Sequence, residues 1–253
     1  MTDPTARFTE RVADYAAHRP TYPPEVIGLL MTAGVLRPDD VVADVGSGTG
    51  ILTALLLVHG HVVHAVEPNA AMAEEARGRL GSDPHFLPIS GRAEATGLPD
   101  ASCDVVTAAQ AFHWFDIEAT RREFRRILRP GGAVVLIWNI RRTDTTPFLR
   151  EYEGLLQHFA LDYKKISAGW ADEEAIGRFF APAAFQARRL ENRQVFGFAG
   201  LRGRLLSSSY APPAGQPRHE PMIAELRRVF DLHQRGGEVA FEYDTNVYWG
   251  RLT

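Results

Sequence analysis

Asp44, Gly46, Ser47, Gly48 and Glu67 are the residues whose types and spacing best suit a chemical task. The first four lie in ADVGSGTG, residues 43–50, and Glu67 closes the run HVVHAVE. Glycines at alternate positions suit a tight turn whose backbone comes close to a ligand. The spacing excludes two phosphate-binding loops. A dinucleotide fingerprint counted from Gly46 needs a third glycine where Ile51 stands, and no lysine follows the loop as a P-loop requires. A glutamate about twenty residues beyond such a loop can accept hydrogen bonds from both ribose hydroxyls. The pair points to a nucleoside ligand held without a pyrophosphate.

Other groups carry weaker signals. His113, in AQAFHWFD, is an imidazole near a strand end, with a pKa suited to taking a proton near neutrality; its other reading is a packing residue in a pocket wall. Trp114 and Phe115 beside it suit an acceptor pocket or the core. Three histidines crowd HGHVVH, but no cysteine or carboxylate cluster completes a metal site there, and Asp116 with Asn139 supplies only two oxygen ligands. No metal is expected. Arg141 and Arg142 suit either an acidic acceptor or a surface pair, while Arg121, Arg122, Arg125, Arg126 and Arg129 read as the solvated face of one helix.

The elements that must position these residues alternate. VVADV, HVVHAVE, HFLPISG, CDVVTAAQ and AVVLIWN read as strands, the third weakened by Pro88. Between them ILTALLLVHG, PNAAMAEEARGRLG (starting at Pro68) and DIEATRREFRRILRPGG (stopped by Gly131 and Gly132) read as helices. This rhythm predicts right-handed crossovers and a parallel sheet, with ligands beyond the carboxyl ends of the strands. After WNIRRTD the pattern changes to helical stretches around a possible strand, ARRLENRQVFG, and a closing strand, VAFEYDTNVYW, expected to be antiparallel.

A phosphate-free nucleoside site with carboxylates nearby describes S-adenosylmethionine, whose positive sulfonium tolerates an acidic setting. Asp44 fits contacts to its amino acid part through backbone amides or water. In GRAEATGLP, Glu94 and the backbone near Ala93 can present a hydrogen-bonding edge to an adenine amino group; the other reading of Glu94 is an exposed loop residue. VVADVGSGTG, AVEPNAAM, GRAEATGLPDASCDVVTAAQAFHWFD and RILRPGGAVVLIWN resemble, in order and spacing, the successive motifs of class I S-adenosylmethionine-dependent methyltransferases. AFHWFD and YAAHRPTYP resemble the small-molecule branch that includes trans-aconitate methyltransferase-like proteins. The similarity covers roughly residues 10–140.

That resemblance implies a doubly wound α/β fold with a mostly parallel seven-stranded sheet and helical insertions after the fifth strand. It implies cofactor contacts from Gly46, Ser47, Gly48, Glu67, Ala93, Glu94 and Gln110, with Pro68 and Met72 flanking the adenine. Tyr15, Arg19 and Tyr22 would belong to a lid over the cofactor. The expected organisation is a lid and helix over 1–35, a cofactor-binding core over 36–140, and acceptor-pocket insertions with the last strands over 141–253. The expected activity is methyl transfer to a small molecule at O, N or C. Two alternatives share the cofactor site: a non-methylating enzyme such as a pericyclase or decarboxylase, and a non-catalytic cofactor-binding partner subunit.

Composition bounds the remaining classes. With 253 residues, 45% hydrophobic and 23% charged, the chain suits one large globular α/β unit. A formal net charge of −3 gives no basic field for a phosphate backbone, so nucleic acid is not an expected partner. One cysteine, Cys103, suits a reducing compartment, and no apolar run is long enough to cross a bilayer. A cytoplasmic protein with no membrane partner is expected. The sequence carries no signal for oligomeric state.

Overall fold

The computed structural model describes residues 18–161, 163, 172–208 and 210–252, so Tyr15 of the expected lid lies outside the described residues. Seven strands form one sheet: β1 (Val41–Val45), β2 (Val62–Val66), β3 (Phe86–Ile89), β4 (Cys103–Ala109), β5 (Leu128–Arg141), β6 (Phe185–Phe196) and β7 (Val239–Gly250). Their order is β3-β2-β1-β4-β5-β7-β6. The first five pair in parallel, and β7 runs antiparallel to both β5 and β6. This is the doubly wound α/β fold that the sequence rhythm predicts.

Strand β1 is the turning point. The chain moves outward from it to β2 and β3, then returns to its other side through β4 and β5. Connections diverge there, which opens a crevice beyond the carboxyl ends of β1 and β4. Both faces of the central strands are covered, so they read as near-continuous apolar runs. On one face α1 (Glu25–Thr32) and α2 (Ile51–Val58) bring Val26, Leu30 and Leu56 against Val42 and Val135. On the other, α4 (Ile117–Ile127) and α6 (Glu173–Phe180) pack Phe124, Ile127 and Phe179 against Val106 and Leu136. Each such fully buried side chain contributes about 1.5–3 kcal/mol of apolar transfer. A further helix, α3 (Ala70–Leu80), follows β2. Beyond β5, α5 (Pro147–Phe159), α7 (Phe198–Leu206) and α8 (His219–His233) gather around Phe241 and Tyr243 in a third core.

Two boundaries differ from the sequence reading. Helix α3 begins at Ala70, because the Asn69 side chain accepts from the N–H groups of Ala71 and Met72 and so ends the turn that Pro68 starts. Helix α4 stops at Ile127 before the glycines. The N–H groups of Ala101 and Ser102 donate to the carbonyls of Arg126 and Ile127, so a neighbouring loop satisfies the helix end. Leu128 then pairs with Cys103, and β5 runs through the glycines with a register shift between Cys103 and Val105.

The arginine-rich face of α4 is only partly solvated. Arg121 donates to the carbonyls of Phe179 and Ala181, and Arg126 pairs with Asp100 as well as with Glu123 of its own helix. These contacts tie α4 to its neighbours. Arg129 falls instead on β5, where it pairs with Asp104. Among the described residues no helix is long and apolar enough to cross a membrane.

Candidate functional site

Backbone geometry shapes the loop after β1. Gly46 and Gly48 adopt φ of +71° and +57°, in the left-handed region that favours glycine. A Cβ on Gly46 would stand 2.6 Å from the Cβ of Ala111, so the loop and the segment after β4 approach as closely as glycine allows. Around Gly48 there is room, with the Met72 sulfur 3.9 Å from such a Cβ, and there conformation alone calls for glycine. The Gly46 and Ser47 N–H groups both donate to the Val66 carbonyl, which anchors the loop to the end of β2.

Glu67 fixes the loop from the other side. Its Oε2 accepts from the Gly48 N–H and its Oε1 from the Asn69 N–H, each at 2.8 Å. A carboxylate offers about four lone-pair sites. One site on each oxygen therefore remains for a pair of hydroxyl groups. Burial pushes the Glu67 pKa up, the two N–H groups pull it down, and nearby Asp44 adds a smaller upward push. Asp44 is buried beneath the loop and accepts from the Thr53 and Thr107 hydroxyls at 2.6 and 3.0 Å. Its carboxyl is raised to about 6 by burial, against the lowering effect of those bonds.

One cavity at the carboxyl ends of β1, β2 and β4 gathers most of the sequence-predicted set. Asp44, Gly46, Ser47, Gly48, Glu67, Pro68 and Met72 line it. So do Ala93, Glu94, Gln110 and Tyr22. Sequence reasoning missed Thr49, Asn69, Arg92 and Ala111; the cap position of Asn69 and the place of Arg92 beside Ala93 were the available signals. Trp114 and Phe115 line this same cavity.

Several predicted side chains are already engaged. Glu94 Oε1 accepts from the Asp116 N–H at 3.0 Å, joining the loop to the start of α4. The Gln110 side-chain amide clamps the backbone of Asn139, donating to its carbonyl at 3.3 Å and accepting from its N–H at 3.0 Å. Gln110 also has φ of +55°, an uncommon conformation for a residue with a side chain, held by this clamp and by its own N–H to Ile137. Arg19 is not among the cavity-lining residues; its Nη2 donates to the Ser207 carbonyl at 3.0 Å.

His113 packs beside the cavity rather than lining it. It sits on a 3₁₀ turn (Phe112–Trp114), outside the residues lining the cavity, and burial lowers its pKa to about 4. Its Nδ1 is buried without a partner, and its ring lies 4.8 Å from that of Trp114. The imidazole is therefore neutral at pH 7 and a weak base. Arg141 and Arg142 also resolve differently from a surface pair: Arg141 is buried against Glu153 and Tyr163, while Arg142 pairs with Asp244 and Glu191. Asp116 caps α4 and Asn139 Oδ1 accepts from Thr245 and Asn192. Among the described residues no group of histidine, cysteine and carboxylate side chains is arranged to hold a metal.

An open sheet of this order, with a cavity at its turning point, is the methyltransferase version of the doubly wound fold. A family model described as a methyltransferase domain matches residues 43–136. An uncharacterized methyltransferase of Mycobacterium bovis is 41% identical over 139 residues, covering 55% of this chain and 54% of the relative. An uncharacterized methyltransferase-like protein of Schizosaccharomyces pombe is 32% identical over 167 residues, covering 65% and 64%. The chain thus spans little more than half the length of the first and under two thirds of the second. A solved putative type II methyltransferase from Anaeromyxobacter dehalogenans superimposes with a TM-score of 0.69 at 25% identity, over 92% of this chain and 97% of the other. The chain is thus similar to methyltransferases in sequence over residues 43–136 and in fold over most of its length.

Proposed function

We propose that the chain binds S-adenosylmethionine in the cavity between β1, β2 and β4 and transfers its methyl group to a small-molecule acceptor. The observation that carries this reading is the carboxylate of Glu67, which holds the loop with one lone pair of each oxygen and turns the others toward a diol. The rest of the lining agrees. Ile51, Leu52, Met72, Ala93 and Phe115 supply apolar surface for a purine, and among the described lining residues Asp44, Glu67 and Glu94 outnumber the cation Arg92. Such a balance suits a positively charged ligand and disfavours a pyrophosphate.

S-adenosylmethionine supplies an electrophilic methyl group on a sulfonium. The protein's own residues bind and align. The Gly46–Gly48 turn and Glu67 fix the nucleoside, Asp44 supports the turn from below, and Tyr22 covers the cavity as part of a lid. In this proposal Arg19 belongs to the same lid, through its bond to Ser207. Aligning acceptor, carbon and sulfur in one crevice accounts for the acceleration without a strong base, since orientation alone is worth about 7–11 kcal/mol. His113 serves as a packing residue beside Trp114.

The test is calorimetry followed by a labelled-methyl assay. S-adenosylmethionine and S-adenosylhomocysteine are expected to bind where NAD does not. Incubation with small-molecule extracts and labelled cofactor is expected to yield a labelled product and one equivalent of S-adenosylhomocysteine. Binding of NAD in place of either compound overturns the cofactor assignment, and substrate turnover with the cofactor unchanged overturns methyl transfer.

A further inference from the structure

Arg204 is a buried cation with no carboxylate. It lies on α7 with 7% of its surface exposed, its Nε donates to the Tyr243 hydroxyl at 3.4 Å, and its Nη1 donates to Ser208 Oγ at 3.1 Å. Among the described residues no aspartate or glutamate pairs with it, and its Nη2 has no acceptor. A guanidinium cannot shed its proton. Withdrawing one from water without a counter-charge costs several kcal/mol. The neighbouring Arg141 shows the usual solution, since it is equally buried but paired with Glu153.

The surroundings of Arg204 are donors. Arg141 lies 5.1 Å above the Tyr152 ring, and Tyr163, bonded to Arg141, packs edge-on against Tyr210 at 5.0 Å. Tyr152 and Tyr210 are 1% and 6% exposed, and neither hydroxyl has a hydrogen-bond partner among the described residues. Both phenols are close enough to Arg204 and Arg141 to feel both charges. The cluster also has a fixed place relative to the cofactor cavity. Arg141 pairs with Tyr243, and Tyr243 with Asn192, two residues along β5 from the Asn139 that Gln110 clamps. It therefore occupies the acceptor side of the edge where β5 ends.

The Tyr243 hydroxyl accepts from Arg204 and donates to Gln194 Oε1 at 3.0 Å, so it orients the guanidinium. We propose that Arg204 and the hydroxyls of Tyr152 and Tyr210 form an oxyanion-binding subsite that anchors the anionic group of the methyl acceptor. The guanidinium supplies the charge and two of its donors, and the phenols complete the shell with neutral donors that bind without repelling the cation. A carboxylate and a phosphate share this chemistry. The term acceptor rests on the methyl-transfer reading; the subsite itself does not, because anion binding is measurable without turnover.

The test is calorimetric titration of the full chain with succinate and with inorganic phosphate, alone and saturated with S-adenosylhomocysteine, against sodium chloride of equal ionic strength. Saturable binding of succinate marks a carboxylate site and of phosphate a phosphorylated-acceptor site. Arg204→Gln is expected to weaken that binding by at least about tenfold, the usual consequence of losing a charged hydrogen bond, with partial recovery in Arg204→Lys. Tyr210→Phe guards against a folding defect in the arginine variants. Removing an unbonded hydroxyl should leave the melting temperature unchanged while anion affinity falls by roughly three- to tenfold. Binding no stronger than chloride, or equal binding by all variants, overturns the subsite. Failure of S-adenosylhomocysteine to bind overturns the methyl-transfer reading and leaves the anion result to judge this one.

Discussion

Replacing Glu67 with glutamine changes one atom and should damage both loop and ligand site. In the native chain the two carboxylate oxygens each accept a backbone N–H, from Gly48 and Asn69, at 2.8 Å. Glutamine keeps one acceptor and places an NH₂ donor against the other backbone donor. Glu67 is 8% exposed, so that N–H has little water to turn to. An unsatisfied buried donor costs about 1–3 kcal/mol. Either backbone donor can be the one left facing NH₂, and because the Gly48 N–H belongs to the turn, part of the cost should appear as a loosened loop. The ligand loses in addition one of the two lone pairs offered to its diol, a second contribution of about 1 kcal/mol. The first cost falls on the ligand-free chain as a stability loss of about 1–3 kcal/mol, and the second predicts an affinity for S-adenosylhomocysteine lower by roughly fivefold, at about 1.4 kcal/mol per tenfold. Titration calorimetry and urea denaturation read the two effects separately. Affinity within about twofold of native, with unchanged stability, would refute the assignment of Glu67 to both tasks.

Three further outcomes follow from the same site. Gly46→Ala must relieve both a Cβ contact of 2.6 Å with Ala111 and an unfavourable φ, and is expected to lower stability by about 1–3 kcal/mol and to abolish detectable cofactor binding; native-like binding by calorimetry would contradict this geometry. Asp44 holds its proton more tightly folded than unfolded, so between pH 3.8 and about 6 the folded state carries the extra proton and stability falls as pH rises. The contribution amounts to about 3 kcal/mol, and Asp44→Asn should flatten that part of the stability–pH curve; an unchanged curve from denaturation at several pH values would refute it. His113→Ala is expected to lower turnover by less than about tenfold, below the range of roughly 10²–10⁴ typical of a general base, and kcat should show no inflection near the ordinary imidazole pKa; a larger loss would restore His113 as a base.

The alternation of apolar runs with capped helices was enough to read the sheet, because β-branched stretches such as VVADV leave few other conformations. Gly46 and Gly48 were legible for a related reason, since their backbone requirement excludes other residues. What escaped was anything decided across long sequence separations. No local signal could reveal that Ala101 and Ser102 cap α4, that Glu94 faces Asp116, or that Arg141 meets Glu153 inside a third core. His113 shows the limit most directly. Its residue type suggested a base, but basicity depends on desolvation, which is set by packing that the local sequence does not encode.

Asn139 joins what are otherwise separate halves of the molecule. Its backbone is clamped by Gln110 of the parallel half, its Oδ1 accepts from Asn192 and Thr245, and its Nδ2 donates to the Thr21 carbonyl, which Asn192 also reaches. For anyone recombining this chain with a relative to exchange acceptor preference, the natural crossover after β5 cuts through that junction. A chimera importing only residues beyond Arg141 would inherit foreign partners for Asn139 and leave the Thr21 carbonyl with Asn139 as its one native donor. A transplant that carries positions 21, 139, 192 and 245 as one unit keeps the seam closed, so these four positions, rather than the strand boundary, mark where the two halves can be exchanged.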